Sequence, residues 1–231
     1  MWSRVGTGNL GAGIAVLGFA AGGLLAAEGL FSFLAILLTR PVVSLSGAAS
    51  IPALLGLGPA WVIAGVVVLV GFLLWLLPKP TPAPESWPWY HTGMMLGALG
   101  TLAWVLGAPA GWHWGLSMTG PSRTLLGALV DQAAHPMTWG AFMVLGVPLG
   151  SWLSARSKGT AHWQVPEARE LPRRFVGGLL MGFGGTVSGG CNIGNALTGL
   201  SVLSLNSLLA TGGILLGVAL GARVQEPRRH D

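Results

Sequence analysis

The chain has 231 residues, of which 52% are hydrophobic and only 8% charged, with a formal net charge of +5. Soluble domains carry roughly 25% charged residues, so a water-bathed exterior is excluded and lipid must solvate most of the surface. The basic residues fall in short loops and near the C-terminus, which is an orientation signal for a membrane protein and not a nucleic-acid footprint.

The apolar runs are long and continuous, which favours an α-helical bundle over a barrel of alternating strands. An all-α integral membrane protein with about six transmembrane helices is expected, as a single membrane domain over 1–231. The first predicted span, 10–38, is unusually long and is interrupted by Gly22, Gly23 and Glu28. The second, 59–77, is rich in Val, Leu and Ile and completes a first helical pair over 1–77. A Pro-rich stretch at 78–91 reads as a stiff linker. The third span, 92–106, carries Gly93, Gly97 and Gly100; the fourth, 138–155, has Pro148 as an expected kink. The fifth, 175–187, is short and glycine-laden, and the sixth covers 202–222. A basic tail follows at 223–231. Short, Gly-interrupted segments point to discontinuous helices around a binding site. The first apolar segment is too long for a signal-peptide core and no cleavage pattern follows it, so a cleaved leader is not expected.

Arg156, Lys158, Arg169, Arg173 and Arg174 flank the fourth and fifth spans. Arg223, Arg228 and Arg229 follow the sixth, Lys79 lies between the second and third, and Arg4 precedes the first. Placing all four groups inside gives six alternating crossings with both termini in the cytoplasm. Arg40 and Arg123 then face the other side.

A weak internal echo joins three polar breaks, at 39–47, 114–123 and 188–201. Each follows a predicted span and precedes a short apolar run and another span. Such breaks are too polar to meet lipid directly. They are expected to dip in and fold back as re-entrant half-helix loops in a pseudo-repeat. Half-helix N-termini would then aim N–H groups and partial positive charge at one point, which attracts an anion.

The chain's single cysteine, Cys191, lies in the third break, in Ser188-Gly189-Gly190-Cys191-Asn192-Ile193-Gly194-Asn195. A free cysteine is commonly a small buried apolar residue. Here glycines and amides surround it, which favours a functional thiol beside a close-approaching backbone. Gly190 and Gly194 serve either tight packing or substrate approach. Asn192 and Asn195 either cap the half-helix or present an amide to a ligand. In the second break Ser117, Thr119, Gly120 and Ser122 precede Arg123. They form either a surface turn or an anion-attracting mouth with Arg123 as its charge. Glu28 lies within an apolar segment, where a charge is costly and calls for a partner or a function. A pair with Arg40, twelve residues on, would need a bend at Gly29. No second cysteine exists and no His is near in sequence, so neither a metal site nor a cofactor is expected. No phosphate-cradling Gly-rich lysine motif is present. Trp61, Trp87, Trp89, Trp112, Trp114 and Trp139 near span ends read as interfacial anchors.

The stretch from Phe175 to Gly194, FVGGLLMGFGGTVSGGCNIG, strongly resembles the signature of YeeE/YedE-type membrane proteins. Leu197-Thr198-Gly199-Leu200-Ser201 also resembles theirs, and Trp114-Gly115-Leu116-Ser117-Met118-Thr119-Gly120 does so more loosely. The resemblance covers about 92–222. It implies a bacterial inner-membrane carrier of reduced sulfur, with a small sulfur-containing anion such as thiosulfate as substrate. It implies no enzymatic activity, and leaves a cytoplasmic sulfur-carrier protein as a candidate partner. Cys191 matches a family cysteine that hands the anion on through sulfur–hydrogen contacts. The family's other path cysteines have no counterpart here, and the chain is shorter than two-repeat members. The expected substrate-binding set is Cys191, Gly190, Asn192, Gly194, Asn195, Ser117, Thr119, Gly120 and Arg123. The competing reading is a membrane-bound sulfur-transfer or redox subunit with Cys191 as sulfur acceptor. That chemistry needs a base or second thiol nearby. A plain scaffold gives no reason for polar breaks at membrane depth.

Overall fold

A computed structural model describes residues 1–40, 50–76 and 87–225, and every regular element in them is helical. In chain order these are α1 (Trp2–Gly6), α2 (Leu10–Ala27), α3 (Ser32–Thr39), α4 (Ile51–Leu55), α5 (Pro59–Leu76) and α6 (Trp89–Gly107). Then come α7 (Thr119–Val130), α8 (Trp139–Ser157), α9 (Leu171–Val187), a π-helical segment (Ile193–Gly199) and α10 (Leu205–Gln225).

The spine is α2 against α9, and glycine is the reason. Gly18 and Gly22 on α2, and Gly178 and Gly182 on α9, each recur at a spacing of four and so share one helix face. A Cβ at Gly18 would collide with the carbonyl oxygen of Phe175, and one at Gly22 with that of Leu179. Reciprocally, a Cβ at Gly178 would strike the Ala15 carbonyl, and one at Gly182 the Phe19 carbonyl. The two backbones therefore touch. Lipid tails are as apolar as leucine, so close van der Waals approach is what associates helices in a membrane. Contact partners rise together in number, from Ala15 with Gly178 to Gly23 with Thr186, so the helices run parallel. Around this spine, α7 packs on α2, α8 and α9, and α1 packs on α8 and α2. Gly6 of α1 has no room for a Cβ against Pro148 and Ser151. Helix α8 continues through Pro148.

Among the described residues, three helical stretches are long and apolar enough to cross a membrane: Leu10–Ala27, Trp89–Ala110 and Leu205–Arg223. Ala60–Leu76 is a shorter apolar helix. The predicted fourth and fifth spans are present as α8 and α9 but carry charge: Arg156 in the last turn of α8, and Arg173 and Arg174 at the start of α9. The first predicted span is not one helix over 10–38. It stops at Ala27, turns through Glu28–Phe31 and restarts as α3. Gly29 permits this turn, because a Cβ there would lie 2.8 Å from Leu25 Cα, and the Phe31 amide closes it on Leu25 O at 3.1 Å. Helix α6 starts at Trp89, inside the stretch assigned to the linker. Most of the linker, most of the 39–47 break and the end of the basic tail lie outside the described residues.

One end of the spine is basic. The 158–170 loop docks on the α2 N-terminus, with Leu10 N donating to Gln164 O at 3.1 Å and Gln164 N to Gly8 O at 3.0 Å. Asn9 caps α2, accepting from Ala12 N at 2.9 Å, and its amide donates to Gln164 Oε1 at 2.9 Å. Arg174 covers Gly11 there. Arg4, Lys158, Arg169, Arg173 and Arg174 thus gather at this end by chain connectivity.

Candidate functional site

Helix α9 ends at Val187, and the chain turns back over 188–192. Gly189 takes φ +76°, a left-handed conformation that a side chain resists. The Ser188 hydroxyl donates to Gly190 O at 2.8 Å. The returning segment brings Cys191, Asn192 and Ile193 to a cavity of about 320 Å³, lined also by Trp2, Phe19, Met118 and Met181. Phe19 and Met181 lie in the middle of α2 and α9, so Cys191 sits beside the midpoint of the spine and not at its end. The thiol is half-buried and opens on this space.

The loop is held by a buried amide. Asn195 is 1% exposed and Ser207 2%. Asn195 Nδ2 donates to Gly190 O at 2.6 Å, its backbone N–H donates to Cys191 O at 2.8 Å, and its Oδ1 accepts from Ser207 Oγ at 3.1 Å. Gly199 makes room for the Ser207 side chain, which a Cβ would strike. Asn195 is therefore turned to its own chain, tying the cysteine loop to α10. Asn192 is exposed beside the cavity.

The second polar break meets the first. Thr198 Oγ1 donates to Leu116 O at 2.6 Å, and Ser117 Oγ lies 3.7 Å from where a Cβ on Gly194 would stand. The first turn of α7 then fans its side chains onto four neighbours. Pro121 packs over Gly140 of α8. Ser122, fully buried, accepts from Trp2 Nε1 at 3.2 Å. Arg123 places its Cβ 3.8 Å from the Cβ position of Gly23 and forms no ion pair among the described residues. Thr119 faces Gly185 of α9, at a point where a Cβ would be 3.0 Å from Thr119 Oγ1 and 3.8 Å from Cys191 N. Thr119 is 7% exposed and its hydroxyl has no hydrogen-bond partner among the described residues. A buried orphan hydroxyl costs about 1–3 kcal/mol; the hydroxyls of Thr138 and Thr211 are unpartnered in the same way among the described residues. The amides of Thr119 and Gly120 begin α7 and have no acceptor within the helix. Gly120 is half-buried, with nothing within 4 Å of its Cβ position.

Glu28 finds its partner across the fold. Its carboxylate lies 3.2 Å from His135 Nε2, and the Glu28 side chain is 50% exposed. The His135 ring covers Gly127 of α7. A larger cavity, about 440 Å³, lies between residues 50–63 and 201–203, and among the described residues Ser50 and Ser201 are its polar lining.

Sequence reasoning singled out Cys191 and the 117–123 turn. It missed Trp2, Phe19, Met118 and Met181 as cavity walls and Ser207 as the support for Asn195. A small residue at Gly199 opposite Ser207 was the available signal for the last.

Apolar helices of membrane length, a glycine-welded spine and polar loops meeting beside its midpoint describe a helical membrane protein. The chain belongs to the sulphur transport family, whose model matches residues 1–220. It is similar to the thiosulfate transporter TsuA of Escherichia coli K12, at 29% identity over 173 residues, 66% of this chain and 49% of that protein. It is also similar to the thiosulfate transporter TsuA of Spirochaeta thermophila, at 31% over 170 residues, 73% of this chain and 50% of that one. The chain spans about half the length of the curated relatives it matches.

Proposed function

We propose that this chain carries a small sulfur-containing anion, foremost thiosulfate, across the bacterial plasma membrane. The path passes Cys191, between two loops that dip into the bilayer and fold back as parts of a repeated helix–break–helix plan. One observation carries the reading: the unpartnered Thr119 hydroxyl is buried at the junction of the two polar breaks, near the Cys191 backbone. An oxyanion there accepts from Thr119 Oγ1 and from the first-turn amides of α7, which replace part of its hydration shell. Arg123, with no ion pair among the described residues, draws anions toward that turn. The basic end of the spine supports a cytoplasmic exit. The substrate in the relatives' names supports thiosulfate. A cytoplasmic carrier protein gains no support from the fold or the relatives, and the reading does without it. The sulfur-transfer alternative lacks a second thiol, since Cys191 is the chain's one cysteine.

The test is uptake of radiolabelled thiosulfate into proteoliposomes. Cys191→Ser is expected to abolish most uptake, and Thr119→Val to cut it about tenfold, the rate equivalent of one lost hydrogen bond to a charged group. Wild-type uptake in both variants at equal incorporation would remove the path from these residues.

A further inference from the structure

One wall of the cysteine cavity comes from the first residues of the chain. Met1, Trp2 and Ser3 line it together with Phe19, Cys191 and Asn192. Gly8, by contrast, lies at the basic end of the spine, where its carbonyl accepts from Gln164 N at 3.0 Å. Phe19 stands nine positions beyond Leu10 on α2, about 13 Å along the axis. The chain before Gly8 therefore folds back into the molecule, packed on α8 and α2, and α1 stands between the cavity and the basic end.

The two ends of α1 are held differently. At Gly6 a Cβ would overlap Ser151 Oγ and the Pro148 carbonyl of α8, and at Gly8 one would strike the His162 carbonyl. Main chain is pressed close at both points. The Trp2 end is tied by a side chain, with Trp2 Nε1 donating to Ser122 Oγ at 3.2 Å. No residue of α1 is buried, and five residues are far fewer than a helix needs to be stable alone. Elements with little buried contact are the first to open.

Resting on the transport reading above, we propose that α1 is a lid on the cytoplasmic side of the Cys191 cavity, hinged at Gly6–Gly8 and latched by the Trp2–Ser122 hydrogen bond. Shut, it separates the thiol from the basic end; swung on its hinge, it joins the two. The α2–α9 pair is fixed by main-chain contact, so it is the side-chain latch that yields first. Ser122 lies in the same α7 turn as Thr119 and Arg123, so the latch ends on the turn proposed to receive the anion.

The test is the rate at which a membrane-impermeant maleimide labels Cys191 in sealed vesicles of either orientation, carrying the full chain. When the lid opens and shuts faster than the reagent reacts, that rate follows the open population. Trp2→Phe keeps an aromatic ring and removes the N–H; Ser122→Ala removes the acceptor. Each should speed labelling from the cytoplasmic face about twofold to tenfold, the population shift one hydrogen bond supports, and leave the rate from the opposite face unchanged. The double variant should label no faster than the faster single one, since both changes break the same bond. Unchanged rates in both single variants, a rise equal on the two faces, or multiplied effects in the double variant would each overturn the lid. Wild-type vesicles that take up no thiosulfate, while the latch variants label as expected, would instead overturn the transport reading and leave the lid standing.

Discussion

Asn195 is the residue whose loss should tell most about how the thiol is held. Replacing it with Ala removes the 2.6 Å donor to Gly190 O and the acceptor of Ser207 Oγ. The Gly190 carbonyl keeps the Ser188 hydroxyl, while Ser207 Oγ is left where water does not reach, since Ser207 is almost fully covered. The orphaned hydroxyl costs about 1–3 kcal/mol and the lost bond to Gly190 O about 0.5–1.5 kcal/mol, so about 1.5–4.5 kcal/mol is at stake against a usual total of about 5–15 kcal/mol. Even the lower figure should depress the melting temperature by roughly 3–6 °C for a chain of this size. Ser207→Ala removes one bond while leaving the Asn195 donor in place, and should cost less. The double variant should cost less than the sum, since both changes break the same pair. Thermal unfolding in detergent gives the stability, and the rate of Cys191 maleimide labelling reports the loop. Asn195→Ala should speed labelling as the loop loosens from α10. A melting temperature within a degree of wild type, with unchanged labelling, would refute the argument that this amide anchors the cysteine.

The other predictions follow the same logic. Gly182→Val puts branched carbon against the Phe19 carbonyl; it should cost at least about 3 kcal/mol as overpacking against immovable main chain, read as loss of folded monodisperse protein on a sizing column. Gly189→Ala forces a side chain into φ +76° and should cost about 1–2 kcal/mol, measured by thermal unfolding. Gly127→Ala should displace the His135 ring, which lies 2.6 Å from the new Cβ, and weaken the Glu28 pair. In a double-mutant cycle with Glu28→Gln, half-exposed Glu28 and His135 should show coupling below about 1 kcal/mol, and that coupling should vanish in the Gly127→Ala background.

Much of the site was legible because its markers are local. The cysteine, its glycines and the Ser/Thr-rich turn stand out inside apolar sequence, and the two breaks that hold them touch where Thr198 meets Leu116. The links between them are long-range and were not legible. Thr198 reaches Leu116 across 82 positions and Trp2 reaches Ser122 across 120, and no local pattern encodes either. Glycines misled in one respect. Gly22 and Gly23 were read as interruptions of a span, yet Gly22 is a point where α2 meets the α9 backbone, because a missing side chain lets the Leu179 carbonyl in. Charge misled in another. Arg40 stood nearest Glu28 on the polypeptide, but the bend after Ala27 presents Glu28 to a histidine from a different part of the chain. The π-helical winding of Ile193–Gly199 left no trace in periodicity, since seven residues are too few to separate it from an ordinary turn.

The weld between α2 and α9 also limits how this molecule can work. Main chain pressed on main chain has no torsions to re-set, so the pair can neither part nor slip by small steps. On the proposed transport reading, any rearrangement that passes a solute falls to the parts packed around that pair and not to the pair itself.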